Sequence, residues 1–85
     1  MSALDGEWNV RPLPGVRKRI AGDRGETIVA GVVRFRFDVR DLELHYRPPL
    51  RGLVDVLEPD GDGFRGRATV FGRTVGEFRM SRRAT

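Results

Sequence analysis

Val33-Arg34-Phe35-Arg36-Phe37-Asp38-Val39-Arg40 alternates apolar and charged side chains without a break, the pattern of a strand with one face buried and the other in water. Alternate residues cannot share one face of a helix, so the run decides for β structure. With Phe35, Phe37 and Val39 facing a core, the neighbouring strands inherit a register from this one. A slip of one residue would exchange their faces.

Outward from this run, turn chemistry recurs every eight to twelve residues, at Leu13-Pro14-Gly15, Gly22 to Gly25, Ala30-Gly31, Arg40-Asp41, Pro48-Pro49, Pro59 to Gly63 and Phe71-Gly72-Arg73. That spacing is typical of antiparallel sandwiches and barrels. It leaves eight candidate strands, near 7–12, 16–21, 26–29, 32–39, 42–47, 52–58, 64–71 and 74–82. Connections this short pair each strand with the next, and a meander of this size removes its edges by closing on itself. The expectation is an all-β chain, a small antiparallel up-and-down β-barrel of about eight short strands. Residues 1–85 form one domain in this reading, with 1–5 and 83–85 as flexible ends.

The hairpins then say which polar residues point inward. A two-residue loop at Arg40-Asp41 pairs Val39 with Leu42, Phe37 with Leu44 and Phe35 with Tyr46, all inward, and sets Arg36 beside His45 and Asp38 beside Glu43 on the outside. A two-residue turn at Asp60-Gly61 pairs Leu57 with Phe64, Asp55 with Gly66 and Leu53 with Ala68. Asp55 is then drawn inside; a three-residue loop would return it to solvent. At the amino end, a three-residue loop at Leu13-Pro14-Gly15 pairs Val10 with Lys18 and Trp8 with Ile20, so the sole lysine points inward. A buried unpaired ammonium or carboxylate costs several kcal/mol. Lys18 and Asp55 must therefore meet each other, meet other polar groups, or sit at an open mouth. Keeping Phe78 and Met80 inside requires an odd loop around Gly72, with a bulge, and Gly66 and Gly76 would leave room in the interior.

Composition excludes several classes of function. A chain of 85 residues is near the lower limit for burying an all-β core. With no cysteine and one histidine it has neither a disulfide framework nor the ligands of a zinc site, and no other metal or cofactor is expected. Asp60 and Asp62 lack the following glutamate of a calcium loop. Charged residues interrupt the first thirty positions, and no stretch approaches the roughly 20 apolar residues of a membrane span. A cytoplasmic protein with no membrane partner is expected. The formal charge is +4, but acidic residues are interspersed with the basic ones, and the preference for Arg over Lys is what a GC-rich genome produces. Only Arg17-Lys18-Arg19 and Arg82-Arg83 form basic runs, so nucleic acid is a disfavoured partner. His45 lies on the outer face with no serine, cysteine or second histidine suited to a triad, and is read as a surface histidine.

Gly6-Glu7-Trp8 opens the first strand and Arg79, Arg82 and Arg83 finish the last. This resembles the calycins, the lipocalin and fatty-acid-binding group of barrels, in which a Gly-x-Trp packs beneath an arginine of the final strand. The resemblance assigns Gly6 and Trp8 to the motif and Arg82 as partner, and implies a barrel and an apolar-ligand pocket. The chain is shorter than either family and lacks their helices. Segments such as Leu44 to Pro49 and Gly63 to Ala68 also resemble short proteins of high-GC bacteria, which implies no activity.

Three functions follow as expectations. The first is a small-molecule-binding barrel holding an apolar or amphipathic ligand inside, lined by Trp8, Phe35, Phe37, Leu44, Tyr46, Phe64, Phe78 and Met80, with Lys18 or Asp55 orienting it. The second is a cofactor-free isomerase or cyclase using Lys18, Asp55 or Tyr46 for proton transfer. The third is a structural or interaction protein, a homodimer joined through Phe71 and Val75 on the outer face of the last hairpin.

Overall fold

The computed structural model describes residues 3–83; Met1, Ser2, Ala84 and Thr85 lie outside them. Eight strands, β1 (Gly6–Arg11), β2 (Val16–Ala21), β3 (Arg24–Val29), β4 (Val33–Arg40), β5 (Glu43–Tyr46), β6 (Leu53–Asp60), β7 (Gly63–Val70) and β8 (Arg73–Arg82), pair in sequence order and close through β1 and β8 into an antiparallel barrel. The alternating run that decides the fold is β4, with Phe37 buried and Arg34, Arg36 and Arg40 in solvent.

The predicted faces are correct, but the predicted pairings in three hairpins are displaced by two residues. Trp8 lies opposite Lys18 rather than Ile20, Phe37 opposite Tyr46 rather than Leu44, and Leu57 opposite Gly66 rather than Phe64. The turns explain it. The β4–β5 turn is Asp41-Leu42 and the β6–β7 turn Gly61-Asp62, with positive φ at Asp41 (53°) and Gly61 (59°). In β1–β2 the ladder ends at the Asn9–Arg17 pair, so the connection is longer than Leu13-Pro14-Gly15. An even displacement leaves every side chain on its own face. It also improves the outer face of β4–β5, where Arg40 now opposes Glu43 and Asp38 opposes His45.

The β7–β8 turn is Phe71-Gly72, both at positive φ (48° and 85°), the requirement of a type I′ turn. The ladder shifts register between Ala68 and Thr69. Val75 is the additional residue of this bulge, and it returns Phe78 and Met80 to the interior as expected. The room expected at Gly66 is taken up: a Cβ there would collide with the Phe78 ring, and the Phe37 ring lies equally close over Gly25. Gly76 has nothing within 4 Å of such a Cβ, but it lies at an exposed position near the turns rather than inside.

The amino end is hydrogen-bonded to the barrel from Ala3 onward. Leu4 is fully buried and its carbonyl accepts from Trp8 Nε1 at 2.8 Å. The Arg82 guanidinium lies 4.3 Å from the Trp8 ring centroid and donates to the carbonyls of Asp5 and Ala3, each at 2.8 Å. Arg83 N donates to Glu7 O at 3.0 Å. Gly6 stands at φ 124°, where a side chain would press on Arg82. The Gly6, Trp8 and Arg82 constellation is thus assembled at this end of the barrel.

Candidate functional site

Lys18 sits mid-way along β2 between outward Arg17 and Arg19, so alternation alone aims it inside. Asp55 lies between Val54 and Val56 on β6, where alternation alone would aim it outward; its register opposite buried Leu44 on β5 and Ala68 on β7 brings it inside. In a cycle of eight strands β2 and β6 are diametrically opposed, yet Lys18 Nζ donates to Asp55 Oδ2 at 3.0 Å. The lysine stem therefore crosses the barrel, and the side chains of opposite walls meet in the middle.

Two hydroxyls complete the cluster. Nζ donates to Tyr46 OH at 2.7 Å and to Thr27 Oγ1 at 2.8 Å. Tyr46 donates to Asp55 Oδ2 at 3.0 Å, leaving its oxygen to accept from Thr27 at 2.6 Å. An ammonium has three protons, and here each has an acceptor. Among the described residues no buried side-chain nitrogen or oxygen lacks a partner. Around the polar atoms the rings close in: Nζ lies 5.2 Å from the centroid of Phe78, 5.4 Å from Tyr46 and 5.6 Å from Phe37, within cation–π range.

Burial shifts these groups in opposite directions. Desolvation holds the Lys18 ammonium below the ordinary lysine value of 10.5, against the pull of Asp55. Desolvation first, and then the Asp55 charge, push the Tyr46 phenol far above its ordinary 10.0. The phenol thus holds its proton more firmly than a free tyrosine, and the ammonium less firmly than a free lysine. With side-chain exposures of 4% for Lys18 and 5% for Asp55, and every donor occupied, the cluster has no group free to exchange a proton with an outside substrate. The three acceptors of Lys18 come from β3, β5 and β6, so the cluster ties four strands together across the barrel.

All the residues expected inside are there. Trp8, Phe37, Leu44, Tyr46, Phe64, Phe78 and Met80 form one buried cluster with Phe35 packed at its margin, and Lys18 and Asp55 are buried among them. Trp8 meets Phe64 edge to face at 5.5 Å, and Phe37 meets Tyr46 similarly at 5.3 Å. Thr27 escaped the sequence reading because it and Ile28 are both buried, which removes the alternation that would single it out. Its position opposite Lys18 was the available signal.

The barrel's exterior is sharply polarised. The turns β1–β2, β3–β4, β5–β6 and β7–β8 gather at one end. Every large apolar side chain exposed among the described residues belongs to it: Leu13, Val32 (78%), Val33, Val70, Phe71 (83%) and Val75 (62%). Residues 10–17, 28–35, 46–54 and 69–76, which build this end, include six arginines and no acidic residue. Arg34 pairs with Glu26 and Arg47 with Asp38 further down the wall. Arg11, Arg17, Arg51 and Arg73 make no ion pair among the described residues. Between the β1–β2 loop and the β3–β4 turn runs an open groove of about 660 Å³, whose lining includes Leu13, Pro14 and Val16 with Arg11 and Arg17 beside them.

No protein-family model, curated protein or solved structure matches this chain.

Proposed function

We propose that the protein is a non-catalytic binding module for anionic amphiphiles, and that the ligand lies in the groove at the turn end rather than inside the barrel. The observation that carries this reading is the groove itself, an apolar floor flanked by Arg11 and Arg17, whose guanidinium groups make no ion pair among the described residues. An alkyl chain along Leu13 and Val16 would leave water while its acidic head meets the arginines, the usual division of labour in a small-molecule site. The ligand class is the one a calycin-like barrel implies, and Gly6, Trp8 and Arg82 support that kinship. The interior position is disfavoured because Lys18 and Asp55 occupy the space a ligand would need and already satisfy one another. The same closure removes the reason to read Lys18, Asp55 or Tyr46 as acid/base catalysts.

The test is titration of isotope-labelled protein with monomeric dodecyl phosphate, followed by amide chemical shifts. Shifts confined to residues 10–17 and 29–34, and much weakened in an Arg11→Gln/Arg17→Gln variant, are expected. Shifts centred on Phe37, Tyr46 and Asp55 would instead place the ligand within the barrel, and an unchanged spectrum would end the proposal.

A further inference from the structure

We infer that the whole turn end is a docking face for an anionic lipid bilayer, with the groove as one part of it; the inference rests on the reading of that groove as an anionic-amphiphile site. The apolar residues sit at the tips of separate turns: Leu13 in β1–β2, Val32 in β3–β4 and Phe71 in β7–β8. The arginines are rooted at the strand ends behind them, Arg11 closing β1 and Arg73 opening β8, with Arg51 in the β5–β6 loop. This layering is what an anionic membrane surface receives: apolar groups reach the acyl boundary while cations stay at headgroup level.

Phe71 adds a separate observation. It holds φ 48° at a turn position suited to Asn or Gly, with its ring against Gly52 and still 83% exposed. A bulky residue in the left-handed region is strained, and strain kept at an exposed tip points to use of that tip. The turns at the opposite end carry Asp23, Asp41, Asp60 and Asp62, with Asp23 beside Arg24 and Asp60 beside Arg65 and Arg79, and none of the exposed large apolar side chains lies there. That polarity orients the molecule with the turn end down.

Two other partners fit less well. A second copy of this chain could offer the aspartates of its opposite end to the arginines, but none of the exposed large apolar residues lies there to receive Leu13, Val32 and Phe71. A single-stranded nucleic acid would want a row of stacking rings, and Phe71 is the sole aromatic among those exposed residues. The bilayer departs from the sequence-based expectation of no membrane partner, which considered spans alone.

Co-sedimentation with vesicles of phosphatidylcholine, with and without phosphatidylglycerol, tests the inference. Binding to the anionic vesicles alone, lost in about 1 M salt where charges are screened beyond about 3 Å, is expected. Arg51→Gln/Arg73→Gln should weaken it about 30-fold, from about 1 kcal/mol per cation near the surface, while leaving dodecyl phosphate in the groove unaffected. Phe71→Asn should also release the vesicles, and because Asn tolerates the turn conformation the variant stays folded. Failure of vesicle binding with dodecyl phosphate still bound would overturn the membrane inference alone; failure of both overturns the groove reading too. Salt-sensitive self-association without lipid, or preference for single-stranded DNA over anionic vesicles, would assign the face to those partners instead.

Discussion

Lys18 is long enough to cross the lumen, and this reach converts a sequence irregularity into a central device of the fold. The inward face of Lys18 on β2 was legible from alternation with Arg17 and Arg19, whereas that of Asp55 on β6 hung on the length of the Asp60-Gly61 turn, because apolar residues flank it on both faces. Their meeting was not legible, since it depends on barrel closure and strand tilt. Removing one partner strands the other in an apolar interior. Lys18→Met is therefore expected to cost about 3–5 kcal/mol in urea unfolding, whereas Lys18→Met/Asp55→Leu, which leaves no buried charge, should cost less than either single change. A double variant as unstable as the sum of the singles would mean that the pair contributes nothing jointly. Phe71 poses the opposite case. Phe71→Asn relieves a left-handed φ (48°) and is expected to raise stability by about 0.5–1 kcal/mol, read as a higher melting temperature. A fall would show that the ring's contact with Gly52 outweighs the backbone strain.

At the scale of the elements, the sequence carries strand identity and face well and pairing register poorly. Asp60-Gly61 and Arg40-Asp41 look like the centres of their turns, but the chain turns one residue later at each, at Gly61-Asp62 and Asp41-Leu42. That moves each pairing by two without moving a side chain to the wrong face. The bulge in β8 was legible because the parity of Phe78 and Met80 demanded it. What glycines do inside was not, since an inward Gly reads equally as a space or as a seat for a neighbour. Here they are seats, and the two differ in kind. The nearest atoms to a Cβ at Gly66 all belong to the Phe78 ring, while a Cβ at Gly25 also meets the Arg19 carbonyl oxygen at 2.6 Å. Gly66→Ala should destabilise by about 1–3 kcal/mol through overpacking, and Phe78→Leu in the same chain should recover part of it. Gly25→Ala should not be recovered by Phe37→Leu, because backbone remains in the way. Equal rescue at both sites in thermal unfolding would contradict this distinction.

For the whole molecule, closure of the barrel and closure of its interior are separate facts, and the second decides whether the core can take part in chemistry. The single tyrosine makes it measurable, since phenolate absorbance reports Tyr46 alone. Its pKa is raised in the folded protein, so above the ordinary value of 10.0 the unfolded chain gives up this proton and the folded chain keeps it. Stability then falls with rising pH, by up to about 1.4 kcal/mol per unit. Lys18 acts in the other direction, because its lowered pKa means the folded chain binds fewer protons than the unfolded one. That opposing gain accrues below the ordinary lysine value of 10.5 and saturates above it. Beyond that point the tyrosine effect stands unopposed. The phenolate band is therefore expected to stay silent through the ordinary tyrosine range and to appear in one step with the loss of β-sheet circular dichroism. Tyr46→Phe, weaker at neutral pH for want of an acceptor to Lys18, should lose stability less steeply above pH 10.5. Ionisation of Tyr46 near its ordinary value with the β signal intact would mean that water reaches the middle of the barrel, and would return Lys18 and Asp55 to consideration as a working site.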